Sequence, residues 1–346
     1  MFQIINAAAT TIAKTSAFDR FVKLLEDADS KKSGCLRVLT YHSIDEPARC
    51  PWLDPGLISA SPKEFDQQMA YLTSHYQVIT TSNLLAYVKS PKNNDLPPRA
   101  VLVTFDDGYC DFEEYAWPVL MRHGIPAVLF VPTAYPDHPE QIFWWDSLYQ
   151  AIQNTNRTGD LNTPIGTFSL SNVPSRNKAY QQFKAYIKSL NHSEALAIVK
   201  EFCIELDVQP VANSVMSWAS LRKMSRAGLT LGAHTRTHPL INRISLQEAR
   251  DEVVGSLHDL KREIGDALPI FAYPSGEFSD EVVRMLELEG FVLAFSTKRG
   301  INDIARMNPL RLQRINVGRK TTLPILRSQL LSWTVHLNRL RSALEA

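Results

Sequence analysis

Along most of the chain, from Leu36 to Val317, one unit recurs: a short unbroken apolar run followed by a stretch whose apolar residues have helical spacing. The runs RVLTYH (37–42), AVLVTF (100–105), AVLFV (127–131) and LTLGA (229–233) read as strands, and PIFAY, FVLAFS and RLQRINV continue the series. Runs without polar alternation need cover on both faces, which is the situation of a parallel sheet or barrel wrapped by helices. Helix signals fall between them. Ser61, Pro62 and Glu64 combine a cap, a first-turn proline and a capping box, and Ser245 with Glu248 opens a second helix to about residue 264. A helix is expected from 111 to 123 with Gly124 ending it, and others over 217–226 and 279–288. The fold class is therefore α/β, with functional residues expected at the C-terminal ends of strands.

The alternation breaks between residues 136 and 216, too long a stretch for a simple strand-to-helix connection. Helical spacing over 179–190 and a polar loop over 155–163 predict a mainly helical insertion. The expected organisation is an N-terminal helical segment (1–34), a catalytic domain (35–318) carrying the insertion, and a basic amphipathic C-terminal helix within 319–346. Near the N-terminus Phe18, Phe21, Val22 and Leu25 make one helical face, expected to pack on the domain. Its second reading is a weak contact with a membrane surface.

Composition narrows the function classes. Thirty-seven basic residues against thirty-six acidic ones give a net charge of +1, so the chain lacks the overall electrostatic footprint of a nucleic-acid binder. Four cysteines in no CxxC spacing read as free thiols. No apolar run reaches the ~18 residues of a membrane span. Thr10, Thr11 and Lys14 interrupt the first apolar stretch and no basic segment precedes it, so no secretory signal is expected. The setting expected from this is cytoplasmic, peripheral to the inner face of the membrane.

Three polar clusters end strands. Asp106 and Asp107, in TFDDG, are adjacent carboxylates that repel unless a cation or shared proton relieves them, although an Asp-Gly turn is the plainer alternative. His234 and His238, in AHTRTH, can chelate one metal if the segment makes a helical turn. Two nitrogens and one carboxylate oxygen would leave coordination positions open, as a catalytic metal site requires. Tyr273, Pro274, Ser275 and Gly276 form the third cluster, which by itself reads as a tight turn.

In this order the motifs resemble the polysaccharide deacetylases of the NodB-homology type, carbohydrate esterase family four. TFDDG matches the first motif in full, AHTRTH the histidine motif, and YPSG the Pro-x-Gly end of the third. The resemblance implies a distorted (β/α) barrel, with the helical insertion as extra material. It implies Asp106 as general base, Asp107, His234 and His238 as metal ligands, and the backbone N–H of Ser275 as oxyanion donor. The implied metal is a divalent ion, zinc first, with cobalt or nickel as alternatives, and the implied substrate an N-acetylated glycan. Tyr109, Trp144 and Trp145 are candidates for stacking on sugar rings, as is Trp218.

Two departures stand out. The arginine that should begin the third motif is replaced by Ala272, and Arg311 or Arg314 is a candidate substitute for orienting the base. The C-terminal Leu-x-His that supplies the family's general acid is missing, since no histidine falls between His258 and His336. His42, in LTYHSI, resembles the N-terminal acid of the poly-N-acetylglucosamine deacetylases, a subgroup that also lacks the third-motif arginine. The expected activity is removal of N-acetyl groups from an amino-sugar polysaccharide or its precursor. Alternatives are an inactive carbohydrate-binding protein on the same fold, a small-molecule amide hydrolase of the superfamily, and an assembly or membrane-surface scaffold using Arg319, Lys320, Arg327, Arg339 and Arg341.

Overall fold

The computed structural model describes residues 16–29, 34–90, 96–211, 215–303, 305–306 and 308–332. Seven parallel strands close into a barrel: β1 (Cys35–Tyr41), β2 (Ala100–Phe105), β3 (Ala127–Val131), β4 (Thr230–Ala233), β5 (Ile270–Ala272), β6 (Leu293–Arg299) and β7 (Leu312–Asn316). Their order around the ring is β1-β7-β6-β5-β4-β3-β2, and five residue pairs from Arg37↔Val101 to Tyr41↔Phe105 close it. The ring is uneven. β4 and β5 share one paired position, Phe271↔Ala233, and the β6–β7 register shifts between Phe295↔Leu312 and Arg299↔Arg314. Chain order and fold class agree with the sequence pattern, and the distortion lies on the half of the ring built from β4 to β7.

Alternation along each strand divides the core. Val101, Val103, Phe105, Leu129 and Leu231 face outward onto helices, packing with Phe65, Leu120 and Val253. Val38, Leu102, Val128, Phe130, Ile270 and Leu312 fill the barrel interior. Gly232 is needed in this inner layer, since a Cβ there would lie 2.5 Å from the Phe130 ring. Continuing the period of two past the ends of β2 and β4 carries Asp106 and His234 onto the barrel axis above this layer, and the same period within β7 turns Arg314 inward after Leu312.

The capping boxes at Ser61/Glu64 and Ser245/Glu248 form as expected. The helix after β2 differs from its expectation. It opens as a π-helical turn, Phe112–Ala116, before the α-helix Trp117–His123. Pro118 has no N–H to offer the preceding turn, and the Trp117 N–H bonds to the Phe112 carbonyl five residues back.

Between β3 and β4 the helices Trp144–Asn154, Val173–Ile187 and His192–Glu205 build a second core around Phe143, Leu148, Tyr180, Phe183 and Phe202. Cys50, Leu53 and Ile58 from the connection after β1 join that core, so the insertion roofs the C-terminal mouth of the barrel. Its polar stretch is not simply a loop: Asp160–Thr163 pairs antiparallel with Gly166–Ser169, where Gly166 allows a tight turn. The N-terminal helix Ser16–Asp29 packs on the domain as expected, with Val22 buried and Phe18 and Leu25 half-buried. Phe21 departs from the expected face and is 56% exposed, while Glu26 and Asp29 turn inward to ion-pair partners. The C-terminal helix spans Leu323–Gln329; the expected extension beyond 332 lies outside the described residues. No described helix is long and apolar enough to cross a membrane.

Candidate active site

Four of the seven non-glycine residues with positive φ among the described residues gather at the C-terminal mouth: Asp107, Thr235, His238 and Ser275. Such backbone is costly for L-residues and tends to persist where it positions functional groups. At the end of β2, Asp106 continues the strand and its N–H bonds to the Tyr41 carbonyl, whereas Asp107 turns into the left-handed region at φ 72°. Adjacent carboxylates thereby reach different surroundings. His234 and His238 are brought together by an irregular turn with Thr235 at φ 64° and His238 at φ 59°, not by the helical turn expected from their spacing. Glu252 ties that turn down, accepting the N–H groups of Arg236 and Thr237 at 2.7 and 2.9 Å.

Asp106 is fully paired. Arg314 Nη1 and Nη2 donate to its two oxygens at 2.8 and 2.7 Å, while Arg314 Nε donates to the Ser296 carbonyl within the shifted register of β6 and β7. Burial pushes the Asp106 pKa up, but the guanidinium and neighbouring imidazoles prevail and hold it below the usual carboxylate value. The arginine that meets Asp106 thus stands two strands further round the ring from Ala272. Arg311, the other candidate, is corrected: it is exposed and paired with Asp280 at 2.7 Å, because the 3-10 turn Pro309–Arg311 precedes β7 on the outer surface.

Asp107 is not paired in this way. Its Oδ1 is buried without a hydrogen bond and stands 3.4 Å from both His234 Nε2 and His238 Nε2. The Nδ1 of His234 lies 2.7 Å from the Ala272 carbonyl, so this nitrogen carries a proton and Nε2 is the atom turned toward the carboxylate. Two nitrogens and an oxygen with converging lone pairs, all within 4.8 Å of one another, form a donor set that suits a divalent cation of the zinc class. Burial raises the Asp107 pKa, but the two imidazoles more than offset this and hold it well below the ordinary value.

These groups line a cavity of about 220 Å³. His42, just past β1 and partly exposed, stands across it with Nε2 4.0 Å from Asp107 Oδ2. Ser275 lines it too, in a turn that only glycine permits: a Cβ on Gly276 would meet the Thr297 backbone nitrogen at 2.2 Å. Tyr273 and Pro274 are buried behind that turn, with the Tyr273 hydroxyl bonded to the Leu310 carbonyl. Of the aromatic candidates only Trp145 reaches the cavity, its ring 4.6 Å from that of His238. Tyr109 and Trp144 are corrected to core positions, as is Trp218. The Tyr109 hydroxyl accepts from Trp145 Nε1 and donates to Asp146, an internal use that leaves no face for a sugar. Leu57, Thr297, Lys184 and Lys188 also line the cavity and were not candidates from sequence; no motif marks the two lysines, and only the path of the insertion brings them here.

A closed parallel barrel with a carboxylate–imidazole donor set and a paired second carboxylate at its C-terminal mouth has the architecture of a hydrolase able to use a divalent cation. The sequence profile of the polysaccharide deacetylase family matches residues 93–294, more than half of the chain, and the protein belongs to that family. It is 28% identical over 179 residues to poly-beta-1,6-N-acetyl-D-glucosamine N-deacetylase of Staphylococcus aureus (strain MSSA476), a match covering 50% of this chain and 60% of that protein. It is 22% identical over 275 residues to YxkH of Bacillus subtilis (strain 168), covering 78% of this chain and 67% of that protein. Its fold is similar to that of the Streptococcus pyogenes deacetylase PplD, solved in complex with acetate, with a TM-score of 0.59, 17% identity, and 86% of this chain and 99% of that chain covered.

Proposed function

We propose that this protein is a metal-dependent N-deacetylase that hydrolyses the acetamido group of an amino-sugar polysaccharide or of its precursor. The observation that carries the reading is the division of labour between two adjacent carboxylates. Asp106 has both oxygens on Arg314, while Asp107 presents an unbonded oxygen to two imidazoles.

Asp107, His234 and His238 would hold the cation, which would supply Lewis acidity for water and for the acetyl carbonyl. Asp106, kept ionised by Arg314, accepts the proton of the attacking water. Arg314 fixes both carboxylate oxygens, so the base has one orientation. The Ser275 N–H donates to the oxyanion of the tetrahedral intermediate. His42, across the cavity, donates a proton to the departing amine, and acetate and a free amino sugar result. The absent third-motif arginine was the reason to weigh an inactive binding protein. Arg314 removes that reason.

The test is acetate release from N-acetylated sugars by apo protein, zinc-loaded protein and the Asp106→Asn variant. Expected is metal-dependent release that falls about 10³-fold in the variant, with metal content per chain unchanged. Loss of metal along with activity would overturn the separate roles of the two carboxylates.

A further inference from the structure

Lys184 and Lys188 sit one helical turn apart at the end of the inserted helix Val173–Ile187, and both face the cavity. Cations near a helix C-terminus are ordinary, and solvent would satisfy them. These two are turned inward instead. Lys184 is compensated: its Nζ lies 3.0 Å from Asp54 Oδ2, with side chains 19% and 7% exposed. Lys188 is different. Its Nζ donates to Ser275 Oγ at 3.2 Å, and among the described residues no carboxylate lies within ion-pair distance of it. Glu277 and Asp107 act on it only from beyond that distance, and Glu277 is engaged by Asn242 at 2.9 Å. Burial first, then Lys184, pulls the Lys188 pKa below the usual lysine value, as befits an ammonium short of a counter-ion.

The charges of the cavity wall sharpen this. Asp106 is matched by Arg314 and Asp54 by Lys184. Lys188 remains over, and a dication on Asp107 would leave one more positive charge unmatched. A neutral acetamido sugar needs donors and acceptors but no net charge, and a half-buried ammonium with only a hydroxyl partner is unfavourable until an anion joins it. Resting on the deacetylase reading, we infer that the substrate of this site is an acetamido sugar that carries an acidic oxygen group, a phosphate or a carboxylate, held by Lys188 beside Ser275. The insertion is then the specificity element: the barrel supplies the reaction and the inserted helix selects an anionic substrate.

The experiment uses zinc-loaded full-length protein and three acetamido substrates. They are a neutral β-1,6-linked N-acetylglucosamine oligomer, N-acetylglucosamine 1-phosphate, and an N-acetylglucosamine–glucuronic acid disaccharide. Wild type is expected to favour an anionic substrate in kcat/KM, and the ratio of anionic to neutral kcat/KM falls about 10- to 100-fold in Lys188→Gln. The phosphate and uronate arms identify which acid is recognised. A second readout is independent of turnover: calorimetric binding of glucosamine 1-phosphate and of glucosamine to Asp106→Asn protein, with and without Lys188→Gln. Tighter binding of the phosphate that is lost with Lys188 supports the inference even where no substrate is cleaved.

Acetate release from the neutral oligomer at equal or better kcat/KM would overturn the inference and leave the deacetylase reading standing. An equal loss on all three substrates in Lys188→Gln would overturn it as well, showing a tether between the insertion and the Ser275 turn. Absence of both release and phosphate binding would overturn it together with the reading on which it rests.

Discussion

Arg37 and Arg314 are the two largest side chains fully enclosed by the described structure, one near each mouth of the barrel. At the N-terminal mouth Arg37 lies 2.5 Å from Asp29 and donates to the Leu330 carbonyl, with its guanidinium over the Tyr76 ring. Beside it Glu26 takes Arg327 at 2.8 and 3.0 Å and the Tyr71 hydroxyl. The second oxygen of Asp29 accepts from Ser332. Every oxygen of these two carboxylates is engaged by the protein itself, and the result is a plug made of the N-terminal and C-terminal helices. At the C-terminal mouth Arg314 saturates Asp106 in the same fashion, yet the next residue along is left with an unbonded buried oxygen. Buried charge by itself does not mark a working site. Nor does an unfilled position, since Arg37 Nη1 and the Tyr76 hydroxyl are buried without a partner in the plug; what marks the working end is that the orphaned acceptor is a carboxylate oxygen facing two imidazole nitrogens at 3.4 Å.

The largest effect should come from breaking the filled pair at the working end. Arg314→Met leaves Asp106 buried without its counter-ion, and unfolding free energy should drop by about 3–5 kcal/mol while deacetylation falls by orders of magnitude. Adding Asp106→Asn to that variant should restore much of the stability, read by urea unfolding, and none of the activity. Recovery of activity in the double variant would contradict Asp106 as the general base, and full activity in Arg314→Met alone would make Arg314 a mere structural prop.

At the plug the same operation should separate stability from function. Asp29→Ala is expected to lose about 3 kcal/mol, whereas Asp29→Leu combined with Arg37→Met should come close to wild type. Metal content and kcat should hold in every folded variant. A change in kcat would show that the two ends communicate and would blur the contrast drawn between them.

Asp111 offers a smaller, pH-dependent effect near the working end. Burial, with Asp45 adding to it and the Ile44 N–H at 2.5 Å opposing it, raises its pKa from 3.8 to about 7. The folded protein therefore holds a proton that the unfolded chain has released between pH 4 and 7, and stability falls as pH rises through that window. Asp111→Asn keeps an acceptor for Ile44. Above pH 7 the variant should be more stable than wild type by about 1–2 kcal/mol, after allowance for its partial exposure, and the gain should vanish below pH 4. A gain constant with pH would assign the effect to packing.

Glu26 has the opposite sign. Burial raises its pKa, but the hydrogen bonds from Arg327 and Tyr71 outweigh this and lower it, so its contribution is present above the unfolded pKa and lost as pH falls through the folded one. Glu26→Gln should cost about 1 kcal/mol at pH 7 and progressively less on acidification, read by denaturant titration at both pH values.

Much of this protein was legible from neighbouring residues alone. Strand alternation, capping boxes and the TFDDG and AHTRTH segments are local patterns, because a strand end or a cap is specified within a few positions. The sugar-stacking role read into Tyr109 and Trp144 shows where that stops. Aromatic identity does not say which way a side chain faces, and the network through Asp146 turns Tyr109 inward. Nor did the apolar face predict every contact of the N-terminal helix, since Val22 is buried as expected but Phe21 is not, and Glu26 and Asp29 turn inward to partners some three hundred positions away.

From its sequence alone this chain determined an α/β repeat, a pair of carboxylates and a pair of histidines at strand ends, and the family they resemble. Only the closed barrel decided which arginine meets Asp106, since Arg314 lies 208 positions further on and reaches it through the shifted register of β6 and β7. Only the path of the insertion brought Lys184 and Lys188 over the cavity. Chemistry that needs adjacent residues is written along the chain, whereas a charge balance at one point in space depends on where distant segments cross.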